Sequence, residues 1–354
     1  MYCLSMQTKE VIHETAILVG LGSIGKNHLT RLLRYFENVV VIDPDPAAKH
    51  FLDLHYPHLS KSHYYGLDDL PAGMRLGVAV IANWGPDHFL AFQELKTKGV
   101  KRFVIEKPLV SRISDFYEMK ESCNIDEIQN EVNMPWLYST FAERVSQIQS
   151  DYEIGQISNI SVSGGAKCMA TNGIHYLGLA CSLFEANPTT AFAIVSSERI
   201  NPRSKDLEFL EGSASWQFDS GRFLQVAFSN TSHVQALMIV NFKFGRITVE
   251  SNMATLYCIS PEDKKLIDKP ARTFYPNVQT LQFNPFIDDS GHDGTDQIYT
   301  SIINGKRVES TAKAFASSEA LLAMLLSSRT GKAVELPISQ EVASQYYNFD
   351  WNIS

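Results

Sequence analysis

Residues 16–29 read AILVGLGSIGKNHL, in which an apolar run leads into Gly20, Gly22 and Gly25. The apolar run predicts a buried strand, and the residues after the glycines predict a helix. In such a unit the first glycine permits a tight turn, the second admits a phosphate, and the third lets helix and strand pack closely. Unpaired N–H groups at the helix N-terminus favour an anion. The stretch therefore predicts a turn that binds a dinucleotide pyrophosphate, with Ser23 and Ile24 inside it.

A second strand predicts which dinucleotide binds. Apolar residues recur at helical spacing after the glycines, at Leu29, Leu32, Leu33 and Phe36. The apolar strand 39–42 then ends at Asp43, close to the spacing of the acid that bonds the adenosine ribose hydroxyls. A carboxylate there repels a 2′-phosphate, so NAD is favoured over NADP. Methyltransferases use a similar glycine turn, and that alternative stays open at this point.

Two further strands complete the predicted N-terminal sheet. Residues 77–82 and 102–105 are apolar, and residues 88–98 between them have helical character that ends at Gly99. Alternating strands and helices predict a doubly wound parallel sheet of the Rossmann type. Asn83 and Trp84 follow one of these strands, and Glu106-Lys107-Pro108 follows the other. Ligands bind at the carboxyl ends of strands in such sheets, so these residues are candidates for the site.

The second half of the chain has a different pattern. Alternating strands at 213–218 and 222–228 flank a turn at residues 219–221, which predicts a hairpin. Further segments are predicted as strands at 234–240 and 246–250, and as a helix at 311–328 with Phe315, Leu322, Leu325 and Leu326 on one face. The fold class is therefore α/β. We predict a Rossmann domain over residues 1–130 and an α+β domain with a large, mostly antiparallel open sheet over residues 131–354.

Composition narrows the class of protein. The 354 residues carry a net charge of −8 and contain 44% hydrophobic residues, which argues against a nucleic-acid surface and against disorder. No apolar stretch approaches the length of a membrane span, and the N-terminus lacks a signal-peptide core. Five widely spaced cysteines read as free thiols in the cytoplasm. His50, His55, His58 and His63 match no metal-ligand spacing and read as solvated loop residues, so no metal site is predicted.

The chain resembles the glucose–fructose oxidoreductase / inositol dehydrogenase (Gfo/Idh/MocA) family over nearly its whole length. The matching pieces are GLGSIGKNHL, AVIANWGPDH, VIEKPLV, EIGQISNISVSGG, NGIHYLGLA and AKAFASSEALLAMLLSSRTGKAVELP. The resemblance implies an NAD-dependent oxidoreductase that acts on a sugar, an amino sugar (possibly nucleotide-linked) or a cyclitol. It also implies a homodimer or homotetramer formed through the C-terminal sheet. The methyltransferase alternative does not explain Glu106-Lys107-Pro108.

Residue roles follow from this resemblance. Lys107 and His175 correspond to the family's catalytic lysine and histidine: His175 would exchange the hydroxyl proton, and Lys107 would orient the oxygen. Thr171, Asn172 and Trp136 are expected to bind substrate. Asn83, Trp84, Glu106 and Lys107 are also expected at the cofactor site. Glu106 is expected to hold either its loop or Lys107 in position.

The chain departs from the family at one position that bears on catalysis. Four residues before His175 the family usually has an aspartate, whereas this chain has Thr171. Asn172 can bond a substrate hydroxyl but cannot accept a proton. The substitution supports an alternative in which the chain is a catalytically silent NAD-binding sensor or scaffold of the same fold. Trp136 has two open interpretations, stacking on a sugar and packing within the domain.

Overall fold

The computed structural model describes residues 12–201, 204–265, 276–287, 294–305, 309–347 and 349–353. The strands are β1 Ile12–Val19, β2 Phe36–Ile42, β3 His63–Tyr64, β4 Leu76–Ile81, β5 Arg102–Ile105, β6 Gln129–Val132, β7 Ile157–Ser163, β8 Thr190–Ile200, β9 Glu208–Gln217, β10 Phe223–Phe228, β11 Leu237–Phe242, β12 Gly245–Glu250, β13 Met253–Ile259, β14 Val278–Phe283 and β15 Val334–Glu335. The α-helices are α1 Ser23–Tyr35, α2 Pro46–His55, α3 His88–Thr97, α4 Ile113–Ile125, α5 Phe141–Asp151, α6 Ile174–Phe184, α7 Pro261–Lys264, α8 Gly294–Ile303, α9 Glu309–Thr330 and α10 Gln340–Gln345.

The chain forms two compact units. The first comprises Met1–Val110, Asp115–Asn133 and Ile298–Arg307, so a segment from late in the chain belongs to the N-terminal unit. The second comprises Ser111–Ser114, Met134–Gln297 and Val308–Ser354. Helix α8 is therefore divided, since its first turn counts with the second unit and the rest with the first.

The first unit contains a six-stranded sheet in the order β3-β2-β1-β4-β5-β6, with every neighbouring pair parallel. This is the strand order of a Rossmann fold. Residues Ala16–Val19 of β1 and Val78–Ile81 of β4 are all buried, as expected for central strands covered on both faces. The predicted doubly wound parallel sheet is confirmed.

The second unit contains a nine-stranded sheet in the order β14-β13-β12-β11-β7-β10-β9-β8-β15. All neighbouring pairs are antiparallel except β7 and β10, which run parallel. Helix α9 packs against one face, where the indole Nε1 of Trp216 on β9 donates to the carbonyl oxygen of Ala320 at 3.1 Å. The predicted open antiparallel sheet is confirmed, including the hairpin of β9 and β10.

Several local predictions differ from the structure. Phe36 begins β2 rather than continuing the helix, because α1 ends at Tyr35. Helix α9 is buried on all sides over residues 317–327, so its apolar residues do not form a single face. Residues 234–236 precede β11 and are not part of the strand.

The four histidines lie on helices and a strand rather than in a loop, but His50, His55 and His58 are exposed, as predicted. His50 and His55 lie on α2, where the His55 ring packs 4.7 Å from that of Phe51. His63 is buried on β3 and meets the ring of Tyr65 edge-on at 5.0 Å.

Among the described residues, no group of three His, Cys, Asp or Glu side chains is placed to hold a metal ion. Within the same ranges, no helix is both long enough and apolar enough to cross a membrane.

Candidate functional site

The turn residues of the first unit are aligned by backbone hydrogen bonds that continue the sheet past its strand ends. Gly20 N–H donates to the carbonyl oxygen of Ile42 at 2.8 Å, and Ala82 N–H donates to that of Val19 at 2.8 Å. Glu106 N–H likewise donates to the carbonyl oxygen of Ile81 at 2.9 Å. The glycine turn, the Asn83 loop and the Glu106 loop therefore leave one edge of the sheet together.

The three glycines of the turn are required for different reasons. Gly20 has φ +90°, and a Cβ there would lie 2.6 Å from the Asn83 nitrogen. A Cβ on Gly25 would collide with the carbonyl oxygen of Gly20. A Cβ on Gly22 would meet no protein atom within 4 Å. Packing within the protein explains Gly20 and Gly25, whereas Gly22 leaves open space that a phosphate can approach.

The start of α1 suits an anion. Gly22 is the N-cap, so no side chain caps the helix, and its first turn contains no acidic residue. Ser23 and Ile24 are exposed beside it. These features fit the pyrophosphate of a dinucleotide, whose oxygens accept from first-turn N–H groups.

Asp43 lies where the ribose-binding acid is expected. It follows β2, and its Oδ2 accepts from Leu21 N–H at 2.6 Å while Oδ1 accepts from Asp45 N–H at 2.8 Å. These bonds hold the carboxylate against the glycine turn. Each carboxylate oxygen retains a further acceptor site for a ribose hydroxyl.

The Asn83 loop and the Glu106 loop are tied together by His88, the first residue of α3. The buried His88 ring places Nδ1 2.8 Å from the carbonyl oxygen of Pro108 and Nε2 3.2 Å from that of Asn83. Burial lowers the pKa of His88. The side-chain Oδ1 of Asn83 is buried without a hydrogen-bond partner among the described residues, and Trp84 is 51% exposed beside it. Trp84 thus offers an exposed ring at this edge, and Asn83 Oδ1 has an unused acceptor site.

Glu106 is a buried carboxylate held by several donors. His28 Nε2 lies 2.9 Å from Oε1, Asn133 Nδ2 donates to the same oxygen at 2.5 Å, and Lys107 N–H donates to Oε2 at 3.2 Å. Burial raises the pKa of Glu106, but the His28 and Asn133 bonds and the nearby charge of Lys107 outweigh it, and the pKa falls to about 2. Glu106 is therefore ionised at neutral pH.

The predicted substrate residues lie in the second unit, around a π-helical turn at Met169–Gly173 that precedes α6. Thr171 is buried in this turn. Asn172 Oδ1 accepts from Cys168 N–H at 3.2 Å, which stabilises the turn. His175, half-buried on the first turn of α6, has its ring 5.8 Å from that of Trp136.

The second unit contains a cavity of about 500 Å³, whose lining includes Trp136 but not Thr171, Asn172 or His175. Trp136 lines it and packs edge-on against Tyr176, with ring centroids 5.0 Å apart. Trp136 is 38% exposed, so it both packs within the unit and offers an aromatic surface to the cavity. Other lining residues include Ser139, Lys167, Gln235 and Met238. The cavity thus combines aromatic, aliphatic and hydrogen-bonding groups.

Sequence reasoning missed several residues of this arrangement. The burial of His28 could have been predicted from the sequence, because it lies on the same buried face of α1 as Gly25 and Leu29. Its contact with Tyr299, whose hydroxyl lies 2.8 Å from His28 Nδ1, could not, because 271 positions separate the two residues. Lys107 belongs to the first unit and His175 belongs to the second.

Comparison with known proteins identifies the first unit. Residues 15–133 match the GFO_IDH_MocA family model, described as an oxidoreductase family with an NAD-binding Rossmann fold. No curated protein sequence matches the chain.

Solved structures match over almost the whole chain. The WlbA dehydrogenase from Chromobacterium violaceum, in complex with NADH and UDP-GlcNAcA, is 18% identical, with 92% of this chain and 97% of that chain covered and a TM-score of 0.68. UDP-N-acetylglucosamine 3-dehydrogenase GnnA from Acidithiobacillus ferrooxidans is 14% identical, with 90% and 99% covered and a TM-score of 0.68. An Agrobacterium radiobacter oxidoreductase, in complex with NAD+, L-tartaric acid and magnesium, is 15% identical, with 92% and 98% covered and a TM-score of 0.68. At these identities the similarity shows the fold alone.

The glycine turn yields a first prediction. Gly22→Ala should leave the free energy of unfolding almost unchanged but raise the NAD dissociation constant by about tenfold or more, because the methyl group fills the space left for a phosphate. Gly25→Ala should lower the stability of the protein even without NAD. Isothermal titration with NAD and urea unfolding without NAD measure the two effects. Unchanged NAD affinity in Gly22→Ala would contradict this account of the turn.

Glu106 yields a prediction about acid stability. Its folded-state pKa of about 2 lies below the ordinary 4.5, so its contribution is present above about pH 4.5 and is lost as the pH falls toward 2. The difference in unfolding free energy between the wild type and Glu106→Gln should narrow by about 2 kcal/mol from about pH 5 to pH 3. Urea unfolding at several pH values measures it. The exposed-site control Glu121→Gln should show no comparable change, and a constant difference for Glu106→Gln would refute the prediction.

Proposed function

Because residues 15–133 belong to the Gfo/Idh/MocA family of NAD-binding oxidoreductases, we propose that the chain interconverts a secondary alcohol and a ketone on a sugar or amino sugar, possibly nucleotide-linked, or on a cyclitol. The observation that carries the proposal is the gathering of the glycine turn, Asp43, the Asn83 loop and Glu106-Lys107 at one edge of a parallel sheet. This edge is where a ligand binds in open α/β sheets. NAD is the cofactor, and when bound it supplies the hydride acceptor or donor.

Lys107 and His175 are the proposed catalytic side chains. Oxidation of a secondary alcohol requires removal of the hydroxyl proton, and histidine is suited to that exchange near neutral pH. Lys107 follows β5 directly, and its ammonium group would donate to the substrate oxygen and stabilise its developing negative charge. In the reverse direction His175 would return the proton to the ketone oxygen.

The cavity of the second unit supports a carbohydrate as substrate. Sugars present apolar faces that pack on aromatic rings and hydroxyls that exchange hydrogen bonds with polar side chains. The Trp136 ring supplies the first kind of surface, and Ser139 and Gln235 supply the second. One similar structure is a UDP-N-acetylglucosamine 3-dehydrogenase and another is a dehydrogenase in complex with UDP-GlcNAcA, which favours UDP-linked sugars, while the third is in complex with L-tartaric acid.

Thr171 sets this chain apart within the proposal. A neutral hydroxyl, buried in the π-helical turn, stands at the position where the family usually has a carboxylate. Catalysis would then depend more on Lys107 to stabilise the substrate oxygen. A silent NAD-binding protein remains the competing function that the substitution favours.

Turnover separates the two functions. With a panel of UDP-linked sugars, free sugars and cyclitols, wild-type protein should produce NADH absorbance at 340 nm. Lys107→Ala and His175→Ala should each lower kcat/KM by about 10²–10⁴-fold, the usual contribution of a proton-transfer group. The exposed-residue controls Lys98→Ala and His233→Ala should keep wild-type rates. Full turnover in both site variants would refute the assignment, and NAD binding without any turnover would favour the silent protein.

We also propose that the chain forms a homo-oligomer through the open face of its second sheet. Side chains on that face form cross-strand rows opposite the buried side chains. One row comprises Phe192, Ser215, Gln225, Ser161, Ile239, Thr248, Thr255 and Gln282, and the next comprises Ile194, Ser213, Ala227, Ser163 and Leu237. Neither row contains a charged residue, and interface cores are depleted in charge. A second copy of the same face is the occupant that such a surface fits.

Solution mass tests the oligomer. Light scattering after size exclusion should give a multiple of the 39.7 kDa chain mass for the wild type. Ile239→Lys should yield monomers, because it buries an unpaired charge in the middle of the proposed interface. Leu54→Lys, at an exposed apolar site of the first unit, should leave the mass unchanged. A monomeric wild type would refute the proposal.

A further inference from the structure

We propose that His28 is a positioning residue that holds the Glu106 carboxylate in place beside Lys107, whose backbone N–H donates to the same carboxylate. The inference rests on the proposed function in giving Lys107 a catalytic role. His28 would act through Glu106 rather than on the substrate. It would connect the helix that follows the glycine turn with the loop that carries Lys107.

The geometry places His28 between two partners of the same unit. It lies on α1 and is 1% exposed, with Nε2 2.9 Å from Glu106 Oε1 and Nδ1 2.8 Å from the Tyr299 hydroxyl. An ionised carboxylate only accepts hydrogen bonds, so Nε2 carries a proton in either charge state of the ring. Tyr299 therefore fixes the ring from its other side, as an orienting partner does for a functional histidine.

Tyr299 is itself held firmly. It is fully buried on α8, and its ring stacks on Tyr35 of α1 with centroids 6.0 Å apart and planes 7° apart. The hydroxyl thus reaches His28 from a fixed ring. The His28 imidazole has little freedom to turn away from Glu106.

The acceptor sites of Glu106 divide between its two oxygens. Oε1 accepts the bonds from His28 and Asn133, whereas Oε2 accepts the bond from the backbone N–H of Lys107. The charge of Lys107 lowers the pKa of Glu106, and by linkage Glu106 favours the protonated form of Lys107 to the same extent. Fixing Oε1 therefore fixes the negative charge beside Lys107.

A second buried carboxylate provides a matched control. Glu131 is 0% exposed and accepts from Ser301 Oγ at 3.2 Å, so it too connects the sheet with α8. It lies on β6 and does not adjoin Lys107 in sequence. Removing its charge tests the structural effect of losing a buried acid in the same unit.

The first experiment needs no turnover. Acetylation of Lys107 by acetic anhydride is followed against pH by mass spectrometry, with the exposed Lys98 as internal reference. In Glu106→Gln and His28→Leu, the midpoint for Lys107 should fall by about one pH unit, which raises its labelling at about pH 8 up to tenfold. His28→Gln, which keeps an N–H donor to Glu106, should stay near the wild type, as should Glu131→Gln.

The second experiment uses the enzyme reaction. The pH profile of kcat/KM should shift by the same amount in His28→Leu and Glu106→Gln and should be restored in His28→Gln. An unchanged or higher Lys107 midpoint in His28→Leu would overturn the inference, even with normal turnover in the wild type. Absence of turnover together with the labelling shift would leave the positioning role standing and refute the proposed function instead.

Discussion

The hydrogen bond that each parallel strand of the first unit makes one residue past its end determines where the site can form. Gly20, Ala82, Glu106 and Asn133 each donate a backbone N–H to the last residue of a neighbouring strand. A parallel ladder permits this extension because its bonds are evenly spaced along the strand. The loops that follow these strands therefore begin side by side at one edge of the sheet. Side chains that are distant in sequence converge there without any need for flexible connections.

Burial gives this edge its electrostatic character. Glu106 is only 6% exposed yet ionised, which requires that hydrogen-bond donors replace the water it has lost. His28, Asn133 and the Lys107 N–H supply those donors. The second unit instead presents aromatic, aliphatic and polar side chains at its cavity, with Lys167 among them. The first unit thus has a buried charge at the edge of its parallel sheet, whereas an aromatic ring, that of Trp136, lines the cavity of the second unit.

Local sequence predicted the parts of the fold that depend on local patterns. Strand periodicity and the glycine turn were enough to predict the parallel sheet, because each is specified within a few tens of residues. The assignment of Asp43 to the cofactor ribose stays a prediction. Phe36 was assigned to the helix because an apolar residue suits helix and strand equally at that position. The partners of Glu106 were beyond prediction, since His28, Asn133 and Tyr299 come from three separate segments. A polar residue on the buried face of α1 was the one available sign of them.

The division of α8 has a consequence for the order in which the protein is completed during synthesis. Ile298, Tyr299 and Ile302 are fully buried within the first unit, although its other described segments end at Asn133. A ribosome that has released only the N-terminal strands has not yet supplied the tyrosine that orients His28 or the serine that bonds Glu131. Until the last sixth of the chain emerges, the nascent first unit lacks these two side chains. The strands of the parallel sheet are thus synthesised early, whereas the hydrogen bonds of His28 and Glu131 to α8 can form only after α8 has been synthesised.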